Sequence, residues 1–187
     1  MKRVIRVSIR CRKATRAATL ALLLALPLGL NAADAVNDSA SVSKVAVQLD
    51  ARKAGPRSVE NLTERAIVRD YRAAWTSMSH ALEFNILDPI DVPFAGDAKR
   101  VLRDTLISQQ RSGIRQMFTD QNHQLEAVFY APEGDVIELH DTASYQQQVL
   151  DGSKAIQDQH VVVHYVVLMT PSADRWVVRQ LQVVPQF

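Results

Sequence analysis

The spacing of apolar residues changes near residue 120. Before this point apolar residues recur every three or four positions, as in Ala66-Ile67, Tyr71 and Ala74-Trp75, which is the spacing of a buried helix face. After it they alternate with polar residues or form short apolar runs, as in Val161–Val163, which is typical of strands. The chain therefore belongs to the α+β class, with helices and strands in separate blocks.

The first block predicts two amphipathic helices. One extends roughly from Val59 to Glu83, with Ser58 as a candidate N-cap. Prolines at 89 and 93 then impose an irregular connection, because proline lacks a backbone donor and disfavours helix before it. The second helix is expected from about Asp97 to Phe118, although Gly113 weakens its continuity.

The second block predicts four strands separated by turns rich in Pro, Gly, Asp and Ser. We place these strands at Gln124–Tyr130, Val136–Leu150, Ala155–Thr170 and Arg175–Val184. Two N-terminal helices would then cover one face of a four-stranded antiparallel sheet. The third strand is apolar on both faces, so we expect it to be central, and a homodimer through the sheet would cover its second face.

Several segments together resemble a known superfamily. They are Tyr71 with Trp75, Ala81-Leu82-Glu83, Phe94-Ala95-Gly96-Asp97-Ala98 and Asp174-Arg175-Trp176-Val177-Val178. This pattern looks like the nuclear transport factor 2-like (NTF2-like) superfamily, and is most similar to its branch related to the Tim44 and chloroplast-division domains. The resemblance covers residues 58–184. It implies a cone-like fold in which a curved sheet wraps on helices around a cavity used for catalysis, for ligands or for protein contacts, so the fold does not select a function.

The first 35 residues have the features of an export signal. Seven Lys and Arg lie in Met1–Arg16, an apolar run follows from Ala17 to Leu30, and Ala33-Asp34-Ala35 forms a cleavage signature. The apolar run has 14 residues, whereas a membrane-spanning helix needs roughly 20. We therefore expect an exported protein, periplasmic or secreted, that begins near Val36. A membrane tether is the alternative, and it applies only if the signal is not cleaved.

Removal of this segment changes the charge of the chain. The full sequence has 22 Lys and Arg against 20 Asp and Glu, and residues 1–35 hold seven of the first and one of the second. This leaves 15 against 19, a net charge of −4, which does not favour a nucleic-acid partner. The one cysteine, Cys11, lies before the apolar run, so thiol chemistry is not expected after cleavage. We divide the chain into a signal peptide (1–35), a linker with at most a short strand (36–57) and one domain (58–187).

The hairpin between the second and third strands suggests a polar cluster. If residues 151–154 form a four-residue loop, Asp141 lies opposite His164 and Tyr145 lies opposite His160. A carboxylate beside an imidazole can fix its tautomer, as a general base requires. Asp141, His164 and Tyr145 are therefore the catalytic candidates, although such pairs are also ordinary cross-strand contacts, and a register error of one residue would separate them.

Four residues are candidates for contact with a ligand. Tyr71, Trp75, Tyr145 and His160 could wall a pocket, while Tyr71 and Trp75 at helical spacing are also typical of a plain core. No metal site is predicted from His160 and His164, because on a strand they lie about 13 Å apart at ~3.3 Å per residue. His140 is expected on the opposite face from His164. No cofactor motif is present.

The sequence thus favours an exported, non-catalytic binding or interaction domain of the cell envelope. Its partner would be a protein or a small apolar ligand, and no cofactor is implied. The alternative is a cofactor-free cavity enzyme of isomerase, dehydratase or hydrolase type. An enzyme would require Asp141, His164 and Tyr145 to converge in a pocket of roughly 300 Å³ or more.

Overall fold

The computed structural model of the protein describes residues 45–187. A short strand precedes two helices, with one turn of 3-10 helix (Asp88–Ile90) between them, and four long strands follow. The helices and strands are β1 (Ala46–Asp50), α1 (Asn61–Phe84), α2 (Gly96–Ser112), β2 (Ile114–Tyr130), β3 (Ile137–Asp151), β4 (Lys154–Ser172) and β5 (Arg175–Val184). Neither α1 nor α2 is long and apolar enough to cross a membrane.

The five strands form one mixed sheet in the order β1-β2-β3-β4-β5. β1 pairs with β2 in parallel, and the other neighbours are antiparallel. The helices pack on one face, which we call the inner face, because Leu139, Val167 and Met169 are fully buried beneath them. The opposite, outer face carries the alternate residues of the same strands.

The sheet corrects the predicted architecture in two respects. It has five strands and is mixed, whereas the sequence predicted four antiparallel strands, and one strand precedes the helices. The additional strand, β1, lies within the predicted linker, where the sequence allowed at most a short strand; its Val47 is 7% exposed, and Val45, just before it, is 4% exposed. Alternation over three apolar residues is a short pattern, and pairing with β2 supplies the stabilisation that it lacks.

The boundaries of the helices also differ from prediction. The predicted second helix extended to Phe118, but α2 ends at Ser112 because Gly113 adopts a left-handed conformation with a φ of 71°. β2 then begins at Ile114, ten residues before the predicted strand, because its first part pairs with the end of β3. At the start of α1 the N-cap is Glu60, not Ser58, and it makes no side-chain capping bond.

Buried contacts attach α1 to the far strand of the sheet. Asp70, which is 9% exposed, accepts a hydrogen bond of 2.8 Å from the backbone N–H of Trp176 in β5. The chain between the helices is joined to the same strand, where Val178 exchanges backbone hydrogen bonds of 2.9 Å with Pro93 and Ala95. The helices are thus held over the inner face at a defined position.

The β3–β4 register differs from prediction by one residue. Next to the turn, Asp151 pairs with Lys154 and Leu150 with Ala155, which agrees with the expected alignment. A β-bulge at residue 156 then adds one residue to β4. Beyond the bulge Asp141 faces Tyr165 instead of His164, and Tyr145 faces Val161 instead of His160.

Candidate functional site

A buried polar cluster lies between α1 and the inner face of the sheet. Asp141 on β3 and His123 on β2 have no exposed side-chain surface. The Tyr71 hydroxyl on α1 donates a hydrogen bond of 2.7 Å to Asp141 Oδ2, and His123 Nδ1 lies 2.8 Å from the same oxygen. The carboxyl group favours the tautomer of His123 in which Nδ1 carries the proton. We call these three residues the core triad.

The core triad has two polar atoms without a hydrogen-bond partner among residues 45–187. They are Asp141 Oδ1 and His123 Nε2, and both are buried. Unpaired buried polar atoms cost free energy and are uncommon in native proteins. The triad therefore contains a carboxylate, an imidazole and a phenol in mutual contact, but the protein encloses all three side chains.

His123 was not among the residues predicted from the sequence. A β-bulge after Thr119, where Asp120 has a φ of 52°, shifts the alternation of β2 and turns Gln121 and His123 inward. The predicted strand began at Gln124 and excluded this histidine. Its shared parity with Leu125 and Ala127, which are both buried, is the sequence signal that could have identified it.

Aromatic rings fill the space beside the core triad. Trp75 is 2% exposed, and its ring centroid lies 4.2 Å from that of His123, 5.6 Å from that of Tyr165 and 6.0 Å from that of Tyr145. The hydroxyl oxygens of Tyr145 and Tyr165 are 3.0 Å apart. Three of the predicted ligand-contact residues therefore lie in the core and pack against other core side chains. They are Tyr71, Trp75 and Tyr145.

Burial controls the ionisation of the three enclosed phenols. It is the main cause that raises the pKa of Tyr71, Tyr145 and Tyr165 above the ordinary value of 10.0. The Asp141 carboxyl raises the pKa of Tyr71 further, because a phenolate next to it would be repelled. All three side chains therefore stay neutral hydrogen-bonding groups at neutral pH.

The other predicted site residues lie away from the core triad. His164 is on the outer face, where its Nδ1 is 3.2 Å from Thr142 Oγ1. His160 is exposed and pairs with Gln146. Asp141, His164 and Tyr145 thus do not converge. The bulge at residue 156 also places His140 on the same face as His164, which corrects the expectation that they point in opposite directions.

A groove on the outer face is the accessible feature nearest these histidines. It has a volume of about 340 Å³ and is lined by residues of β1, β2 and β3, including Gln48, Gln124 and Thr142. The C-terminal Phe187 closes one side, with its ring stacked on His140 at a centroid distance of 4.2 Å and an interplanar angle of 9°. We call it the outer groove.

Ion pairs surround the outer groove. Asp50 pairs with Arg52 at 2.6 Å, and Glu126 pairs with Lys53 at 2.6 Å. Hydrogen bonding to Arg52 holds the pKa of the Asp50 carboxyl well below its usual value. The two carboxylates that line the groove are thus paired with cations beside it, and the lining also holds the half-exposed ring of Phe187, a residue type that is enriched at protein interfaces. In the described residues no three His, Cys, Asp or Glu side chains are grouped to hold a metal ion.

Comparison with known proteins gives a structural likeness only. No family model matches the sequence, and no curated protein does. The fold is similar to the crystal structure of the intermembrane space region of the chloroplast protein ARC6, with a TM-score of 0.54 and 12% identity over 69% of this chain and 98% of that chain. A protein of unknown function from Mycobacterium tuberculosis also matches, with a TM-score of 0.38 and 14% identity over 68% of this chain and 78% of that one. The likeness to the ARC6 region concerns the fold.

Proposed function

We propose that the protein is an exported, non-catalytic interaction domain of the cell envelope with an NTF2-like fold, and that its ligand is another protein. The observation that carries this proposal is the filled inner face. Tyr71, Trp75 and Tyr145, which would line a ligand cavity, are at most 5% exposed and are occupied by contacts with other core side chains. Binding is therefore assigned to the surface of the domain.

The outer groove is the surface that best suits a protein partner. Its polar side chains offer hydrogen bonds, and its exposed aromatic ring offers stacking to an incoming chain. A small apolar ligand fits this surface less well, because apolar ligands require enclosed pockets lined mainly by apolar side chains.

The envelope location rests on two arguments of different kinds. The first 35 residues have the composition of an export signal. The structure that resembles this domain belongs to a region of ARC6 in the chloroplast intermembrane space, a compartment between two membranes.

Site-specific photo-crosslinking in the source cells tests the proposal. A photoreactive residue at Gln124, on the outer groove, is expected to give a discrete adduct with one envelope protein. The same residue at Arg103, exposed on α2, serves as the matched control and should give none. Equal labelling from both positions, or none from Gln124, would contradict the proposal.

A second candidate function is the cofactor-free cavity enzyme. The unpaired Asp141 Oδ1 and His123 Nε2 favour it, because they are the atoms that a general base or acid would present to a substrate. This function requires that α1 move away from the sheet, since both side chains are fully enclosed. Mass spectrometry of the native protein for a copurified small molecule separates the two: a stoichiometric ligand lost in Asp141→Asn supports the enzyme.

A further inference from the structure

The fourth strand has a free edge next to the β3–β4 turn. β5 pairs with β4 only between His164 and Ser172, so residues 154–163 have β3 on one side and, within residues 45–187, no strand on the other. Lys154 to His160 are all exposed. An exposed strand edge carries unpaired N–H and C=O groups that can accept another strand.

This edge has few of the features that prevent pairing. The bulge at residue 156 interrupts the ladder near the turn, but residues 157–163 contain no proline and one charged residue, Asp158. Asp158 is held in place by a hydrogen bond of 2.7 Å from Gln148 and by another from Gln146. The edge is therefore preorganised, and its charge has a fixed position.

The sequence of the edge is complementary to itself. We consider two copies that pair antiparallel about a two-fold axis perpendicular to the sheet. Residues that lie opposite each other then point to the same face of the sheet. Since faces alternate along a strand, the numbers of two opposite residues have an even sum. An axis at Asp158 would oppose two carboxylates, and an axis at His160 would oppose two imidazoles. An axis at Gln159 instead places Asp158 of each copy opposite His160 of the other, which gives two complementary pairs.

The same alignment matches the exposed apolar residues. Beyond the regular pairs, it brings the bulged Ile156, which is 50% exposed, near Val162 of the second copy, which is 57% exposed. Under this axis the paired residues extend from Ala155 to Val163, and β5 covers β4 only from His164 onward, so the two copies meet on the part of the edge that β5 leaves open. The polar pairs thus fix the axis at Gln159, and the apolar contact is compatible with it.

We propose that two copies of this chain associate through their β4 edges with the two-fold axis at Gln159, which joins their sheets into one of ten strands. The axis keeps both inner faces on one side, so both outer grooves face the other side together. This inference goes beyond the proposed function and does not depend on it. Substitutions in β4 test self-association, whereas crosslinking from Gln124 tests contact with the proposed protein partner.

Disulfide trapping tests the alignment. In a full-length Cys11→Ser background, which contains no other cysteine, Gln159→Cys is expected to form a disulfide-linked dimer because residue 159 faces its own copy. Gln157→Cys is the matched control and should not form one, whereas Gln157→Cys combined with Val161→Cys should. Linkage from Gln157→Cys alone would overturn the proposal. Mixed disulfides of Gln159→Cys with a different protein, without self-linked dimer, would also overturn it.

A charge exchange tests the same pairing without covalent linkage. His160→Asp places the introduced carboxylate of each copy opposite Asp158 of the other copy. These two repulsive pairs should weaken association, measured by sedimentation, about tenfold. Adding Asp158→Lys should restore it, because the introduced ammonium group of each copy would then face the introduced carboxylate of the other. Circular dichroism verifies that both variants fold. A wild-type chain that stays monomeric, or a double variant as weak as the single one, would contradict the proposal.

Discussion

At the scale of single residues, Asp141 connects the two layers of the domain. It lies on β3, accepts a hydrogen bond from the Tyr71 hydroxyl on α1, and lies within hydrogen-bond distance of His123 on β2. A polar group at this depth is stabilising only when its partners are present. The core triad is therefore expected to contribute to stability and to the position of α1, independently of any chemistry.

Replacement of Asp141 tests this structural role. Asp141→Ala leaves the Tyr71 hydroxyl and the His123 Nδ1 buried without their acceptor, which should lower the free energy of unfolding by about 2–5 kcal/mol. Thr142→Ala, the next residue on the outer face, is the matched control and should change it by about 0.5 kcal/mol or less. Urea denaturation of both variants measures the difference. Equal effects would show that the triad is not stabilising.

The enclosed tyrosines predict a loss of stability in alkali. Since burial raises the pKa of Tyr71, Tyr145 and Tyr165 above the unfolded value of 10.0, the folded state retains these protons more tightly. The resulting stabilisation is fully present below pH 10.0 and is lost as the pH rises above it. Ultraviolet absorbance should therefore show Tyr71, Tyr145 and Tyr165 ionising only together with unfolding. Ionisation of these three in the folded state would contradict the prediction.

Sequence reasoning identified some of these residues but not their arrangement. Asp141, Tyr71, Trp75 and Tyr145 were selected because of residue type and spacing, and all four are buried between α1 and the inner face. The bulges in β2 and β4 themselves leave no pattern in the sequence, so the separation of His164 from Asp141 could not be predicted. The inward position of His123 was marked only by its shared parity with Leu125 and Ala127. Each bulge adds one residue to a strand and thereby reassigns the facing pairs beyond it.

At the scale of helices and strands, β1 is the least expected part of the fold. Its five residues pair in parallel with β2, and Val47 faces the core next to it. An edge strand of this length depends on its buried side chains, because it has a partner on one side only.

Truncation of Val47 tests whether β1 belongs to the cooperative fold. Val47→Ala should lower the free energy of unfolding by about 1–2.5 kcal/mol, since it removes two buried methyl groups. Gln48→Ala, on the exposed side of the same strand, should have little effect. If neither variant changes the unfolding transition, β1 is not part of the stable domain.

The helical part of the fold was more predictable than its ends. Regular apolar spacing placed α1 within two residues at its start and one at its end, since the prediction was 59–83 and the helix is 61–84. The continuation of the second helix past Gly113 was wrong, because Ile114 and Met117, three residues apart, fit helical spacing and not strand alternation. Pairing with β3, which is a tertiary effect, makes the segment a strand nonetheless.

At the scale of the whole molecule, the domain combines a five-stranded mixed sheet with two helices, and its fold is similar to that of the ARC6 intermembrane space region. In the described residues the space between α1 and the inner face is filled by aromatic rings and by the core triad. Folds of this kind host many functions, so the filled interior, and not the fold, directs the proposed function to the surface.

Export is a prediction at the same scale. The mature protein purified from the cell envelope or the medium should begin near Val36, which N-terminal sequencing reads directly. A chain that begins at Met1 would indicate an uncleaved membrane tether. The cleaved chain has a net charge of −4 and should therefore have an acidic isoelectric point, whereas the uncleaved chain is basic.

The most direct test of the filled interior is the exchange of the Tyr71 hydroxyl proton with water, followed by NMR of the folded wild-type protein. The account predicts a separate, slowly exchanging resonance that Tyr71→Phe removes, because this proton is buried and bonded to Asp141. Rapid exchange in the folded state would contradict it. Water, and with it a small substrate, would then reach Asp141, and the cavity enzyme would replace the interaction domain.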